Sequence, residues 1–394
     1  MKRILFLTNG HGEDLIAASI IKLLQVKNPD IKISVFPMVG IGRTFEPLRV
    51  EILGPRKPMP SGGFMYQSIK LMVKDISKGL IGTTLEQIKL LRTLKGKYDL
   101  VFAIGDIVPI IGAIVSKIPF IFYGCAKSDY YSYSYTMWEK WFMKKYALLV
   151  MPRDKKTTEN LVKAGIKAEY LGNPMMDAIK ITGEDFGINP NAKVIGILPG
   201  SREDVLINID NVLDIIKEIE SQKDDGIITE YLVAFASNLD SSRLTDLNHL
   251  ASGTWNLTYT TFDEKKIGLE AILKSGELEV KITQGKFGDV LNKSNIIIGL
   301  SGTGNEQAVG IGKPLVTFAG RGVQHTKKYA KTKKELLGDS LSLVDSNPDI
   351  VASEVWKILK NPFMMEQMRN IGRERMGDIG ATEKIVERIQ EFLK

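Results

Sequence analysis

Asn295-Ile296-Ile297-Ile298-Gly299-Leu300 leads directly into Ser301-Gly302-Thr303-Gly304-Asn305-Glu306. The first half is an apolar run of the length typical of a buried parallel strand. The second half combines glycines and hydroxyl side chains with a carboxylate, which indicates a tight turn at the N-terminus of a helix. The stretch therefore predicts a strand–turn–helix unit, the repeating unit of an α/β protein with a parallel sheet.

Similar units recur on both sides of Asn173-Pro174. Before it, the apolar periodicity predicts strands over residues 4–7, 31–36, 100–104 and 120–123 and helices over 14–24, 65–94 and 108–116. After it, we expect strands over 194–198, 231–235, 295–299 and 315–318 and helices over 208–220 and through 348–394. Residues 251–284 favour short strands with a helix around 266–273. The simplest architecture is two doubly wound Rossmann-like domains facing a central cleft, with ligands at the carboxyl ends of the strands.

Composition restricts the class of protein. A chain of 394 residues can form two domains, and its first apolar run is too short for a signal peptide or a membrane span. The single cysteine, Cys125, excludes an intramolecular disulfide and a multi-cysteine metal site, which suits a cytoplasmic protein. A net charge of +7 and a pI near 9.1 favour a polyanionic partner. The sequence lacks nucleic-acid-binding motifs, so we expect a phosphorylated substrate or an anionic lipid surface and no nucleic acid.

The turn at residues 301–306, called here the Ser301 turn, is the strongest candidate for a binding site. Its backbone N–H groups and the positive end of a helix suit a diphosphate, and a carboxylate one turn later suits ribose hydroxyls. The alternative is a turn with a capping box and no ligand. A second turn, at residues 199–202, adds a guanidinium that could bind the diphosphate or simply be solvated. The donor-site candidates are Gly200, Ser201, Arg202, Ser301, Gly302, Thr303, Gly304, Asn305, Glu306 and Gln307.

The first predicted strand is followed by Gly10-His11-Gly12-Glu13-Asp14. Leu15 occupies the position of the third glycine of the dinucleotide-binding motif, so neither nicotinamide nor flavin is expected. His11 is a candidate general base because its ordinary pKa lies near neutral pH, and Gly12, Glu13 and Asp14 are candidates for acceptor binding. The alternative is a tight turn whose acidic residues cap the helix.

Asp106 occupies a similar position after the predicted strand over 100–104. An aspartate at this position commonly caps the following helix. It would also face the same predicted cleft as His11, where a carboxylate could orient or deprotonate an acceptor hydroxyl. Asp106 is therefore the second candidate base.

Several segments resemble the signature segments of lipid-A-disaccharide synthase, in the same order and at similar spacing. They are Gly172-Asn173-Pro174-Met175-Met176-Asp177, Leu198-Pro199-Gly200-Ser201-Arg202 and Ser301-Gly302-Thr303 through Gly312-Lys313-Pro314. Residues 132–141, with Trp138 and Trp141, are similar to that family's tryptophan-bearing segment. The resemblance extends over most of the chain.

The resemblance implies a GT-B glycosyltransferase with an acceptor domain over residues 1–175 and a donor domain over 176–360. A C-terminal helix within 361–394 would return to the first domain. The substrate would be a UDP-sugar, and neither a metal nor a cofactor is implied. Arg202 and the Ser301 turn would hold the diphosphate, and Glu306 or Gln307 the ribose. Asp106 would match an acidic residue of the acceptor site.

Gln324 adds a donor-site candidate through a second resemblance. Gln324-His325 is similar to the Gln-His pair of the peptidoglycan N-acetylglucosaminyltransferases, in which the glutamine holds donor-sugar hydroxyls. By contrast, residues 10–14 differ from the glycine-glutamate-alanine-serine-glycine-aspartate run of the lipid-A-disaccharide synthases, and Asn173 replaces a histidine. The acceptor is therefore expected to differ from that of the family.

Two segments favour contact with a membrane surface. Residues 59–94 and 130–146 mix apolar and aromatic side chains with lysines, a composition that suits an interfacial helix on anionic lipid. The alternative is an ordinary domain face packed on the sheet. With the first interpretation, the protein is peripheral on the inner face of the membrane and its acceptor is lipid-linked or amphipathic.

These observations favour a metal-independent glycosyltransferase in which His11 or Asp106 deprotonates the acceptor hydroxyl. A UDP-sugar epimerase or hydrolase is the first alternative, although it would require several acidic and basic groups near the sugar ring. The second alternative is a nucleotide-sugar-binding protein without catalysis.

Overall fold

Apolar strands alternate with helices along both halves of the computed structural model, which describes residues 1–56, 80–261, 263, 267–320 and 326–394. The side chains of His11, Leu80 and Ile81 also lie outside this description. The chain divides into two units, the first made of Met1–Asp177 with Ile379–Lys394 and the second of Ala178–Asp378. Each unit contains one sheet, so the predicted pair of doubly wound domains is confirmed.

The first unit contains a parallel sheet with the strand order β3-β2-β1-β4-β5-β6. Its strands are β1 (Arg3–Thr8), β2 (Lys32–Pro37), β3 (Glu51–Ile52), β4 (Leu100–Ile104), β5 (Phe120–Gly124) and β6 (Ala147–Pro152). The described helices are α1 (His11–Lys27), α2 (Leu80–Arg92), α3 (Ile107–Ser116), α4 (Met137–Tyr146) and α5 (Lys155–Lys163). The predicted helix over 65–94 is described only in its last part, as α2.

Helices cover both faces of this sheet, which explains its continuous apolar strands. Ile4 and Phe6 of β1 join one hydrophobic cluster, which includes the buried face of α1. Leu5 and Leu7 point the other way and join a second cluster with Ile110 of α3. Because successive strand residues alternate between faces, every residue of the run is buried.

The second unit contains a mixed sheet with the order β14-β13-β12-β7-β8-β11-β10-β9. Its strands are β7 (Lys193–Leu198), β8 (Thr229–Phe235), β9 (Asn256–Tyr259), β10 (Leu269–Ser275), β11 (Leu278–Gln284), β12 (Ile296–Gly299), β13 (Leu315–Phe318) and β14 (Leu341–Val344). Its helices begin with α6 (Val205–Ser221), α7 (Asn248–Ala251), α8 (Phe287–Lys293), α9 (Thr303–Gly310) and α10 (Lys327–Leu337). They continue with α11 (Pro348–Leu359) and α12 (Pro362–Met376).

The prediction of a helix around residues 266–273 is wrong. Leu269–Ser275 forms strand β10, which pairs antiparallel with both β9 and β11. Leu269, Ala271 and Leu273 are buried while the residues between them are half-buried, and this period of two is that of a strand. Gly276 has a φ of +62° in the tight connection to β11.

Two helices of the C-terminal segment belong to different units. Helix α12 packs in the second unit so closely that a Cβ on Gly372 would lie 2.2 Å from the carbonyl oxygen of Val309. Helix α13 (Ala381–Leu393) belongs to the first unit, where Ile385 and Ile389 join the same cluster as the buried face of α1. The segment 361–394 is therefore divided between the units at residues 378 and 379.

Asp177, the last residue of the Gly172–Asp177 motif, caps the returning helix α13. Its carboxylate accepts hydrogen bonds from the backbone N–H groups of Gly380 and Thr382, at 2.5 and 2.6 Å. Gly380 occupies the N-cap position of α13 and has no side chain with which to cap it. Asp177 therefore supplies from a distant part of the chain the carboxylate that helix N-termini favour.

We expect Asp177→Ala to destabilise the first unit by about 1–2 kcal/mol, the cost of losing a helix cap. The measurement is the shift of the urea unfolding midpoint. Asp378→Ala removes an exposed carboxylate from the same connection and serves as the control. Equal midpoints for the two variants would show that Asp177 does not stabilise α13.

Candidate functional site

The strand order of the second sheet reverses between β12 and β7. Both strands are parallel, and Gly299 of β12 pairs with Leu198 of β7. The Ser301 turn and the turn at residues 199–202 therefore begin at the same level of the sheet. Ligands of doubly wound proteins bind at the carboxyl ends of strands where the order reverses, so both predicted donor turns lie at the favoured position.

The turn after β7 depends on Gly200 and exposes the two residues that follow it. Gly200 has a φ of +95°, and a Cβ there would lie 3.1 Å from the backbone oxygen of Leu300. Only glycine fits this left-handed position without strain. Ser201 and Arg202 are exposed, so the Arg202 guanidinium is accessible to an anion at this edge.

The Ser301 turn places backbone donors at the start of α9. Gly302 is the N-cap and provides no side-chain acceptor for the first N–H groups of the helix. Thr303 is the first helical residue. A Cβ on Gly304 would lie 2.7 Å from Ser301 Oγ, so a larger residue here would displace the serine hydroxyl. The turn thus presents N–H groups and a hydroxyl, the groups that suit a phosphate.

Asn305 holds this turn in shape. Its amide Nδ2 donates to the backbone oxygen of Gly299 at 3.0 Å, and its Oδ1 accepts from the backbone N–H of Ser301 at 3.3 Å. Its side chain is buried. The structure therefore places the Asn305 amide against the backbone of the turn, where it supports the other donor-site candidates.

Glu306 and Gln307 are also buried on α9. The Glu306 carboxylate forms an ion pair with Lys333 Nζ of α10. Sequence reasoning missed Lys333, because α10 contains several lysines and their spacing does not distinguish one that points inward. Gln324, the other donor-site candidate, lies outside the described residues.

The strand order of the first sheet reverses between β1 and β4, where Thr8 pairs with Ile104. The segments that follow these strands contain the two candidate bases. Gly10 and Gly105 adopt φ values of +145° and +132°, which favour glycine in both turns. His11 is the first residue of α1, and its side chain is outside the described atoms. Gly12 follows it as an exposed residue of the first turn.

Asp106 is the N-cap of α3, and its carboxylate accepts from the backbone N–H of Val108 at 2.8 Å. Burial raises the pKa of this carboxyl above its ordinary value, while the bond from Val108 and one from the Asn9 side chain oppose the rise. A carboxylate of raised pKa is a better proton acceptor. Asp106 thus caps α3, and its raised pKa is also compatible with a role as a general base.

The two acidic residues of the N-terminal turn differ in exposure. Asp14 is buried, and its Oδ1 accepts from Thr8 Oγ1 at 2.6 Å. This contact fixes α1 to the end of β1. Glu13 is half-buried. Burial is the largest cause that raises the pKa of the Cys125 thiol, and the negative charges of Glu13 and, less strongly, Asp106 raise it further. Glu13 and Asp106 therefore lie near the same end of the sheet.

Sequence analysis missed one buried polar residue at this edge, Arg153, and identified a second, Asn173, only as a departure from the family pattern. Arg153 follows β6, is buried, and donates from Nη1 to the backbone oxygen of Cys125 at 3.1 Å. Asn173 is buried, and its Nδ2 has no hydrogen-bond acceptor among the described residues. The only sequence signal was position, since Arg153 follows a strand end and Asn173 lies in a quoted motif.

The chain is similar to known proteins in sequence and in fold. A family model described as lipid-A-disaccharide synthetase matches residues 145–281. The lipid-A-disaccharide synthase of Geobacter sulfurreducens is 22% identical over 257 residues, which is 59% of this chain and 59% of that relative. The chain thus matches less than two thirds of the length of this relative.

Solved structures show the same fold. CalG4, the calicheamicin glycosyltransferase, has a TM-score of 0.63 at 13% identity, covering 100% of this chain and 98% of that protein. The UDP-GlcNAc 2-epimerase from Neisseria meningitidis bound to UDP-GlcNAc has a TM-score of 0.56 at 19% identity, covering 99% and 100%. The protein has a GT-B fold, and its sequence is similar to that of the lipid-A-disaccharide synthases.

Proposed function

We propose that this protein is a metal-independent glycosyltransferase that moves a sugar from a UDP-sugar to a lipid-linked or amphipathic acceptor. The observation that carries the proposal is that the turn at residues 199–202 and the Ser301 turn follow two paired strands where the strand order of the second sheet reverses. The sequence similarity to lipid-A-disaccharide synthases includes the first of these turns and supports the same reaction class.

The second unit would hold the donor. The start of α9 carries N–H groups and a partial positive charge, which stabilise the diphosphate before and after the sugar leaves. Arg202 would add charge-assisted hydrogen bonds from an exposed position. These positive groups can offset the charge of the leaving diphosphate, so we propose that no metal is required. Activity should therefore persist in EDTA.

The first unit would hold the acceptor. The acceptor hydroxyl would lose a proton to Asp106 or His11 as its oxygen attacks the anomeric carbon of the donor sugar and the bond between that carbon and the diphosphate breaks. Asp106 is favoured among the described side chains because burial raises its pKa. Glu13 lies at the same edge, whereas the buried bond of Asp14 to Thr8 makes it a supporting residue.

Product analysis tests the proposal. The protein is incubated with radiolabelled UDP-sugars, with and without a membrane-lipid extract, in the presence of EDTA. Label that enters the lipid phase only when both protein and extract are present supports transfer. A donor that is bound but recovered unchanged with every extract would contradict it.

An epimerase is the second candidate, because a UDP-GlcNAc 2-epimerase shares this fold over nearly the whole chain. Such a reaction requires acidic and basic groups around the sugar ring itself. Among the described candidates, Asp14 accepts a hydrogen bond from Thr8, while Glu13 and Asp106 both lie near Cys125 at the same end of the sheet. Recovery of label in an epimer of the UDP-sugar, without lipid, would favour this second function.

We also propose that helix α4 contacts an anionic membrane surface from the inner, cytoplasmic side. Met137 and Trp138 at its start are 86% and 74% exposed. Trp141 is exposed on the same helix, and Lys145 Nζ lies 4.7 Å from its ring centroid. Exposed aromatic residues beside lysines suit the interface of an anionic bilayer. In the described part of the chain, no helix is long and apolar enough to cross a bilayer.

Replacing Trp138 and Trp141 together by serine should weaken binding to vesicles about tenfold or more, because two exposed aromatic side chains no longer insert. The measurement is co-sedimentation with vesicles that contain phosphatidylglycerol, at low salt. Phe363→Ser removes an equally exposed aromatic residue from α12 and should have no effect. Failure of the unaltered protein to co-sediment would contradict the proposed contact between α4 and the membrane.

A further inference from the structure

Helix α10 brings two side chains to the Ser301 turn. A Cβ built on Gly302 would lie 2.9 Å from Tyr329 Oη, so this hydroxyl lies directly against the residue that precedes α9. One helical turn later, Lys333 Nζ pairs with the Glu306 carboxylate. Tyr329 and Lys333 are neighbours on one face, with the ammonium 5.3 Å from the ring centroid. Helix α10 is therefore part of the wall of the proposed donor site.

The Lys333–Glu306 pair is shielded from solvent. The side chain of Lys333 is 13% exposed and that of Glu306 is 4% exposed. A buried carboxylate requires a partner, because removal of its compensating charge leaves it desolvated and unpaired. Glu306 is the fourth residue of the helix whose N-terminus is proposed to bind a diphosphate, so the pair lies next to the proposed phosphate site.

The position of Glu306 creates an electrostatic conflict that Lys333 resolves. An unpaired carboxylate in the first turns of α9 would reduce the positive potential that the N–H groups of Gly302 to Gly304 offer to an anion. The Lys333 ammonium cancels that charge. The N-terminus of α9 therefore stays positive, and the ion pair holds the Glu306 oxygens in one orientation.

We propose that Lys333 is a donor-positioning residue, which neutralises Glu306 so that the Ser301 turn can accept the diphosphate of a nucleoside diphosphate. This inference rests on the proposed function, since it requires that the turn holds the donor. It predicts that the two charges are coupled, so that loss of Lys333 is harmful only while Glu306 is ionised.

The test is calorimetric titration of UDP into four proteins: the unaltered chain, Lys333→Gln, Glu306→Gln and the double variant. We expect Lys333→Gln to raise the Kd about tenfold when Glu306 is present, a loss typical of one unpaired charge near an anion, and to have little further effect in the Glu306→Gln background. Lys331→Gln, an exposed lysine of the same helix, should bind UDP normally. Thermal unfolding of each variant checks that the fold is retained.

A pH series gives a second measurement that a purely structural role would not move. In Lys333→Gln, the unpaired buried Glu306 should have a raised pKa and become neutral as the pH falls. The Kd ratio between Lys333→Gln and the unaltered protein should therefore shrink from pH 8 toward pH 5.5.

Three results would overturn the inference. The first is a UDP Kd for Lys333→Gln equal to that of the unaltered protein, and the second is a double variant that binds UDP about tenfold more weakly than Glu306→Gln. Both leave the donor site itself standing, because the unaltered protein still binds UDP. The third is failure of the unaltered protein to bind UDP, which would overturn the donor site and this inference together.

Discussion

Arg202→Ala is expected to weaken UDP binding about 10- to 100-fold, the loss expected for charge-assisted hydrogen bonds to a phosphate. The guanidinium is exposed at the carboxyl end of β7, beside the Ser301 turn, and its removal disturbs no buried group. The loss should therefore appear in affinity and not in stability. Titration of UDP into the variant, together with its thermal unfolding, measures both quantities.

The matched control for Arg202 is its neighbour in the same turn. Glu203→Ala removes an exposed charge of opposite sign one residue later. The UDP affinity of this variant should be unchanged or slightly higher, because the local potential becomes more positive. If Arg202→Ala binds UDP as tightly as Glu203→Ala, the turn at residues 199–202 does not bind the diphosphate.

Asp106→Asn is expected to lower kcat about 100-fold or more while leaving UDP affinity unchanged, the loss typical of removing a general base. Asparagine caps helices as well as aspartate does, so the bond to the Val108 N–H and the start of α3 should persist. The substitution therefore separates proton transfer from helix capping. Steady-state kinetics with the lipid acceptor gives kcat, and calorimetry gives the UDP Kd.

The pH dependence of kcat follows the direction of the Asp106 pKa shift. Burial raises this pKa, and a base must be deprotonated to act, so kcat should fall as the pH falls through a value above the ordinary carboxyl pKa near 4. Asp240→Asn, the same change at a cap in the other unit, is the control. A full kcat in Asp106→Asn, with a loss in His11→Gln, would assign the base to His11.

The regular parts of the fold were predictable because their strands are buried on both faces. The predicted limits of β4 and β13 match the structure, since helices cover both sides and the whole run is apolar. The helix predicted around residues 266–273 was wrong because this segment belongs to the antiparallel part of the sheet, where β10 alternates buried and half-buried residues. The division of 361–394 depends on tertiary packing of Gly372 against α9, which no local pattern reveals.

The turns of the candidate site could be predicted from the sequence, whereas the side-chain contacts that support these turns could not. Glycines and hydroxyls after an apolar strand identify the Ser301 turn, because that chemistry is local. The pairing of Glu306 with Lys333 spans 27 residues and depends on how α10 packs. Similarly, nothing in the sequence distinguishes buried Asp14, which accepts a hydrogen bond from Thr8, from half-buried Glu13. The roles of all the candidate site residues remain predictions, and Gln324 and the His11 side chain lie outside the described residues.

The most direct test of the central claim is the stoichiometry of the reaction in EDTA. UDP release and lipid-linked label are measured over time from a radiolabelled UDP-sugar in the presence of lipid extract. A metal-independent glycosyltransferase should release one UDP for each sugar that enters the lipid phase, and both rates should fall together in Arg202→Ala. UDP release without lipid-linked label, or release that stops in EDTA, would contradict the proposed function.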